Sequence, residues 1–398
     1  MSINYPRYPI AMDRGEGCHV YDAEGKRYID LFAGFGGPVL GHCHPDLVAA
    51  VTEQANKLWH VGNLFHTEPQ TLLAEAIAKH GFGGRSFFCH SGADANDSAI
   101  KLSRLYGLAN PASDGKPRHG LITANNSFHG RSFGTMVATA QPKVRQGFEP
   151  HIEPAKHVSF NDIEAVQAAI DENTVAIMVE PIQGEGGVNV PDEDYLPQLR
   201  SLCDERDLLL IMDEVWTGCG RTGRYFAHQH WGIQPDIMTL AKGVGGGLAV
   251  GVMCALDRVA KYFDYREHGG VAHATTLGGN CLSMAVSATI FHVLERDGLV
   301  ERAAELGKYA IERMTKFAET CNAVREARGR GLFIGVELDP ADAWFDTGAD
   351  VVNKCMEHGV LINATQGTVL RFAPPLTISR EDFDEGLDLI ERVIAGEE

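Results

Sequence analysis

Two stretches of the chain read Leu208-Leu209-Leu210-Ile211-Met212-Asp213-Glu214 and Ile237-Met238-Thr239-Leu240-Ala241-Lys242-Gly243-Val244-Gly245-Gly246-Gly247. Each is an apolar run that ends on a charged side chain. A run without polar alternation is what a strand buried on both faces needs, and such strands belong to parallel sheets. Outward from this pair, further short strand candidates lie at residues 86–89, 120–123, 176–179 and 250–255. Between them, residues 95–108, 163–170 and 195–206 repeat apolar positions at three and four, the helical spacing. Alternation of this kind predicts an α/β fold, with a mainly parallel central sheet covered by helices on both faces.

The two ends read differently. Residues 17–32 alternate like a small antiparallel piece, and after about Leu299 come helices with short strand candidates at 332–337 and 369–372. The expected organisation is a large domain over 45–295 and a smaller α+β domain formed by both termini, 1–44 and 296–398. Residues 272–294 lack acidic and basic side chains apart from histidine. Thr275, Thr276, Gly278, Gly279, Asn280, Ser283 and Ser287 within that stretch favour a buried helix over a membrane span.

A chain of 398 residues buries enough apolar surface to fold without disulfides or a structural metal. Its net charge of −18 argues against nucleic acid, whose phosphates need a basic face. The nine cysteines are scattered and never spaced as CxxC, which fits reduced thiols in a cytoplasmic protein. The opening Met1-Ser2-Ile3-Asn4-Tyr5-Pro6 has no basic region followed by an apolar run, so no secretory signal and no membrane partner are expected. His42-Cys43-His44 and His228-Gln229-His230 lack the spacing of a zinc site, and no metal is expected.

Ligands of open parallel sheets sit beyond the carboxyl ends of the strands, and the unusual residues collect there. His90-Ser91-Gly92-Ala93-Asp94-Ala95-Asn96 is a small-residue turn opening a helix, whose amides and dipole suit a phosphate. Taken alone, that motif is better explained by a plain helix cap, and Asp94 and Asp97 must point away from any phosphate there. In Asn125-Asn126-Ser127-Phe128-His129-Gly130-Arg131, the aromatic suits covering a flat ring and the arginine suits gripping a carboxylate with two hydrogen bonds. Asp213, at the end of a buried strand, needs a cationic partner, and a protonated pyridine nitrogen would serve. Lys242, at the end of the next, is expected to have a lowered pKa and hence a nucleophilic amine. Gly218-Cys219-Gly220-Arg221-Thr222-Gly223 matches the dinucleotide pattern G-x-G-x-x-G. Its context is wrong: five residues separate it from Met212, and Asp236 precedes a strand instead of ending one, so a nicotinamide-dependent oxidoreductase is only a remote alternative.

These residues together resemble the class III (ω-amino-acid) aminotransferases of fold type I, which use pyridoxal 5′-phosphate (PLP), and among them most closely the acetylornithine and ornithine enzymes. The similarity runs nearly end to end. It includes Gly41-His42-Cys43-His44-Pro45, Trp59-His60-Val61-Gly62-Asn63, Phe128-His129-Gly130-Arg131 and Glu180-Pro181-Ile182-Gln183-Gly184-Glu185-Gly186-Gly187. It continues through Asp213-Glu214-Val215, Ala241-Lys242-Gly243, Thr276-Leu277-Gly278-Gly279-Asn280 and Arg371-Phe372-Ala373-Pro374-Pro375.

The resemblance implies that Lys242 holds PLP as a Schiff base and later moves a proton, while Asp213 keeps the pyridine nitrogen protonated. It implies that Phe128 and Val215 sandwich the ring, with Glu214 and Trp216 beside the cofactor. The amides of Gly92 and Ala93 would hold the phosphate, joined by Thr276 from the neighbouring subunit of a homodimer with shared active sites. Arg131, with Thr275 beside it, would take one substrate carboxylate, and Arg371 would take the α-carboxylate of glutamate or 2-oxoglutarate. Glu185 would pair with Arg371 whenever an ω-amine donor is bound. The implied reaction is transfer from N2-acetyl-L-ornithine to 2-oxoglutarate, with ornithine or another ω-amine as the alternative donor. Three positions depart from the family pattern: Trp216 stands where glutamine is usual, Leu277 where an aromatic is, and Cys281 where proline is. Each bears on substrate choice more than on reaction type.

Overall fold

A computed structural model describes residues 2–152 and 155–397. The strands are β1 (Met12–Glu16), β2 (His19–Asp22), β3 (Arg27–Asp30), β4 (Arg85–Cys89), β5 (Gly120–Ala124), β6 (Lys156–Val158), β7 (Thr174–Val179) and β8 (Leu209–Asp213). They continue with β9 (Ile237–Leu240), β10 (Gly251–Ala255), β11 (Val324–Arg330), β12 (Phe333–Leu338), β13 (Val360–Leu361), β14 (Asn363–Thr365) and β15 (Val369–Phe372). The central sheet has seven strands in the order β4-β10-β9-β8-β7-β5-β6. Every residue of β7, β8, β9 and β10 is buried, as the unbroken apolar runs require.

The pairs β5–β6, β5–β7, β7–β8 and β8–β9 are parallel, whereas β10 runs antiparallel to both β9 and β4. One reversed strand therefore sits between two that share the common direction. The carboxyl ends of β4, β5, β7, β8 and β9 thus open on one edge, together with the amino end of β10. Nothing in the composition of residues 250–255 announces the reversal, because an apolar strand reads alike in both directions. β6 has only three residues, two of them Lys156 and His157, and carries too little apolar signal to be read as a strand.

Helices cover the sheet, and polar caps fix several of their starts. Ser91 accepts the Asp94 amide ahead of Gly92–Ala109, Asp162 accepts that of Ala165 ahead of Ile163–Ala169, and Asn280 accepts that of Ser283 ahead of Cys281–Arg296. Each such cap is worth about 1 kcal/mol, because it satisfies one amide that the helix leaves without an acceptor. The helix at Cys281 takes up only the second half of the uncharged stretch. Residues 272–280 form a loop, tied down by Asn63, whose side-chain amide donates to the carbonyls of Thr275 and Gly278 at 3.1 and 2.9 Å. Among the described residues, no helix is long and apolar enough to cross a membrane.

Two smaller sheets complete the molecule. In one, β1, β2 and β3 from the amino-terminal segment are joined by β13, which pairs in parallel with β3. The other is antiparallel, in the order β11-β12-β15-β14, and Arg371 on β15 faces out of it toward the central sheet's open edge, where its guanidinium meets Gly184 and Glu185.

Candidate active site

The carboxyl ends of the central strands surround a cavity of about 420 Å³, lined among others by Gly92, Ala93, Phe128, Arg131, Glu185, Asp213, Val215, Trp216 and Lys242. Leu248, Ala249 and Val250 enter it from the amino end of the reversed strand β10.

Asp213 ends β8 and is buried to 3% exposure. Its Oδ2 accepts hydrogen bonds from the Asn96 side chain and from Nδ1 of His129, each at 2.7 Å, and its Oδ1 accepts the Val215 amide at 3.0 Å. Asn96 reaches it from the helix that opens at Gly92, and is itself oriented by Thr239 of β9, whose hydroxyl donates to Asn96 Oδ1 at 2.6 Å. Burial alone would lower the pKa of His129, but the hydrogen bond and charge of Asp213 hold it above its ordinary value. Asp213 is thus an oriented carboxylate that still lines the cavity.

Lys242 follows β9 by one residue of loop and, among the described residues, is the only lysine lining the cavity. Burial pushes its pKa down to about 8, against the opposing pull of Glu185, Asp213 and Glu180. Its backbone is left-handed, with φ of +46°. Its amine lies 3.9 Å from the centroid of the Trp216 ring. Trp216 packs between Phe32, Phe35 and Phe333, and a Cβ on Gly36 or on Gly184 would come within 2.6 Å of its indole.

Arg371 is almost fully buried. It donates to the carbonyl of Gly184 at 3.2 Å, to Glu185 Oε1 at 2.9 Å and through Nε to Asn363 Oδ1 at 3.0 Å. Burial pulls its pKa down, and the Glu185 carboxylate opposes that pull. Arg131 is different: it lines the cavity and is exposed, with its guanidinium 5.5 Å from the centroid of the Phe128 ring. One arginine, Arg371, is therefore paired behind the lining through Glu185, and a second, Arg131, is open to an incoming anion.

Gly92 and Ala93 are the first two residues of an 18-residue helix, where amides have no acceptor within the helix. A Cβ on Gly92 would meet Val215 Cγ1 at 2.8 Å, so only glycine lets the turn sit this close. Asp94 turns back, its Oδ2 accepting the amide of His90 at 3.2 Å and lying 3.0 Å from the His90 ring, and Asp97 pairs with Lys101 at 2.6 Å.

Besides Arg371, three expected residues lie outside the cavity lining. Glu214 does not line the cavity. Its buried carboxylate accepts the amides of Ala227 and His228 at 2.7 and 2.8 Å and the hydroxyl of Thr217 at 2.6 Å, bracing the loop after β8 on the far side. Burial would raise its pKa, but these bonds and the His228 ring together hold it below its ordinary value. Consecutive residues leaving a strand point to opposite sides, and Asp213 takes the cavity side. Thr275 and Thr276 also stand outside the lining of this single chain; Thr275 Oγ1 lies 3.0 Å from Nε2 of His90, which does line the cavity, and Thr276 is exposed. The G-x-G-x-x-G match at Gly218–Gly223 forms turns with no following α-helix, and Arg221 within it is fully buried.

Asn96, His129 and Glu180 line the cavity and receive no role from the sequence. A signal for Glu180 existed: it follows the apolar run of β7 as Asp213 ends that of β8.

A buried lysine with a depressed pKa, an oriented buried carboxylate and helix amides around one cavity define a class of protein: one that binds an aldehyde cofactor carrying a phosphate and a ring nitrogen. Comparison with known proteins agrees. The chain matches the family "Aminotransferase class-III" over residues 1–394. It is 45% identical to the acetylornithine aminotransferase of Caldanaerobacter subterraneus over 98% of this chain and 96% of that one. It is 43% identical to that of Methanocaldococcus jannaschii over 98% and 94%. Among solved structures, the ornithine aminotransferase of Toxoplasma gondii superposes with a TM-score of 0.92 at 32% identity, covering 99% of this chain and 92% of that one. The N-acetylornithine aminotransferase of Stenotrophomonas maltophilia superposes with 0.83 at 35%, covering 98% and 97%. The chain belongs to the class III aminotransferases, and is a PLP-dependent enzyme of fold type I.

Proposed function

We propose that the enzyme moves the ω-amino group of N2-acetyl-L-ornithine to 2-oxoglutarate, giving N-acetylglutamate semialdehyde and glutamate. The observation that carries this is the Glu185–Arg371 pair at 2.9 Å, in which Glu185 lines the cavity and Arg371 stands behind it, together with an exposed Arg131 in the same lining. The amine end of an ornithine-like donor bears no carboxylate, whereas the amine-bearing carbon of glutamate does. A carboxylate that neutralises Arg371 for one donor and leaves it free for the other lets one cavity serve both. Relatives named as acetylornithine aminotransferases, matched over nearly the whole chain, favour the acetylated donor.

When bound, PLP supplies the aldehyde and the electron-withdrawing ring. The chain supplies the rest. Lys242 would hold the aldehyde through its amine and, when free, would carry a proton at Nζ. Asp213, fixed by Asn96 and His129, would be the anion that keeps a pyridine nitrogen protonated. Phe128, Val215 and Trp216 would hold the ring, and the amides of Gly92 and Ala93 would receive the phosphate. Arg131 would take the distal carboxylate of either substrate, assisted by Thr275.

A second copy of the chain completes the site in this reading. Trp59, Leu64, Phe65 and Leu277 are exposed at 63, 95, 62 and 52%, and Asn63 ties the first of these segments to the loop that carries Leu277. An apolar strip of this kind calls for a partner, and exposed Thr276 would pass from it to the neighbouring phosphate. All nine cysteines are unpaired, consistent with a reducing compartment such as the cytoplasm.

The test is a half-reaction screen. PLP-loaded enzyme is mixed with acetylornithine, ornithine, 4-aminobutyrate, putrescine and glutamate, and the change in cofactor absorbance is followed. Rapid reaction with acetylornithine and glutamate is expected. Silence toward acetylornithine beside rapid reaction of another ω-amine overturns the choice of donor. For the gate, Glu185→Gln is expected to change the two half-reactions by unequal factors, and equal factors would remove Glu185 from that role.

A further inference from the structure

Glu180 stands at the end of β7 inside the cavity, yet the transfer described above asks nothing of a carboxylate there. It is buried, and its two oxygens serve two different loops. Oε2 accepts the amide of Phe128 at 3.1 Å, and Oε1 accepts the amide of Gly184 at 3.1 Å. Phe128 begins the turn that leads to Arg131, and Gly184 immediately precedes Glu185. The same backbone is held from its other side: the Gly184 carbonyl accepts from Arg371 at 3.2 Å, and the Glu185 carbonyl accepts from Thr365 and Gln366 at 2.9 and 2.7 Å.

We propose that Glu180 is a positioning residue that clamps the backbone beneath Glu185 to the turn bearing Phe128 and Arg131, so that Glu185 leaves Arg371 by side-chain rotation alone. This rests on the two-donor reading of Glu185 and Arg371 given above. Only a carboxylate offers an acceptor oxygen on each side; a glutamine sets its NH2 group against one of the two amide donors. Burial pushes the Glu180 carboxyl up to about 7, so the group is kept at a cost that space-filling alone would not require. With the clamp in place, the distance between the two arginines that read the ends of a substrate does not change when the gate opens. Without it, each opening also disturbs the Gly184 peptide and the carbonyl on which Arg371 rests.

The experiment compares PLP-loaded wild type, Glu180→Gln and Glu180→Asp in single half-reactions with acetylornithine and with glutamate. Backbone amide hydrogen exchange is measured on the same samples. Glutamate needs the gate open and acetylornithine does not. Glu180→Gln is therefore expected to raise the glutamate concentration for half-maximal rate by about tenfold or more, and that for acetylornithine by about twofold at most. Exchange at Phe128 or Gly184 should accelerate by about tenfold. Glu180→Asp, which keeps both oxygens on a shorter stem, should recover part of the glutamate half-reaction. Equal loss in both half-reactions, or unchanged exchange at both amides, overturns the proposal. If Glu180→Gln does not fold, Glu180→Asp must show the same asymmetry in milder form. A wild type inert toward every ω-amine sinks the two-donor reading instead, and exchange at the two amides then decides the clamp on its own.

Discussion

The amine of Lys242 rests against the face of Trp216, 3.9 Å from the ring centroid. The Arg371 guanidinium lies against the same indole at 4.6 Å. A cation on an aromatic face gains about 0.5–2 kcal/mol, the more so away from water. Trp216→Gln is therefore expected to loosen Arg371 and raise the KM for glutamate by about three- to tenfold. Trp216→Phe, which keeps a face, should fall between. Steady-state kinetics on both variants check this, and an unchanged KM for glutamate in Trp216→Gln would leave the indole with a packing role only.

The depressed pKa of Lys242 sets a pH dependence. The amine attacks an aldehyde only when neutral, and burial brings its pKa down to about 8. Uptake of PLP by the empty enzyme should accelerate about tenfold per pH unit below that value and level off above it. An ordinary lysine would carry the rise on to about pH 10. The stability of the empty protein follows with a definite sign. Between pH 8 and 10.5 the unfolded chain binds the proton and the folded one does not, so this group favours folding increasingly as pH rises through that window. Stopped-flow uptake across pH 6–10 is the measurement; a rate still climbing beyond about pH 9 contradicts the assignment.

Asp213, Asn96 and His129 act as one network. Asp213→Ala leaves the buried His129 imidazole and Asn96 amide without their acceptor, and each buried donor left unsatisfied costs about 1–3 kcal/mol. Asp213→Asn keeps the shape and should preserve most of the fold while lowering turnover by about a hundredfold or more, since the ring nitrogen loses its anion. Denaturant unfolding separates the two variants. Similar stability losses in both would mean that the network supplies charge to the fold, and not an acceptor of the right shape.

The fold class was legible in the alternation of apolar runs with helical segments, and the ends of two of those runs drew attention to the cavity. Asp213 and Lys242 were legible because a buried strand tolerates a charged end only for a reason, and both line the cavity. Glu214 was misplaced because adjacency in sequence says nothing of the face on which a carboxylate emerges. Asn96 and His129 were invisible as partners of Asp213, since their contacts span 117 and 84 residues of chain. The direction of β10 was equally hidden, because strand order depends on connections and not on side-chain pattern.

Arg221, inside the dinucleotide-like match, has a structural role. Its Nη1 donates to the carbonyls of Leu332 and Pro374, joining the loop after β8 to the segments that carry β12 and follow β15. Burial pulls its pKa down to about 10. Arg221→Met should destabilise the protein by about 3 kcal/mol, because two buried carbonyls lose a charged donor. Thermal unfolding should show the loss, while the ratio of acetylornithine to glutamate half-reaction rates stays within about twofold. A changed ratio at wild-type stability would reverse this view.

The left-handed backbone at Lys242 sets the needs of the fold against those of the chemistry. A side chain at a φ of +46° costs about 1–2 kcal/mol that glycine would escape. Lys242→Gly should thus give an inert protein that, empty, melts at a higher temperature than the active one. Backbone strain is thus kept at a residue whose amine the chemistry requires, where a glycine would fold more easily and do nothing.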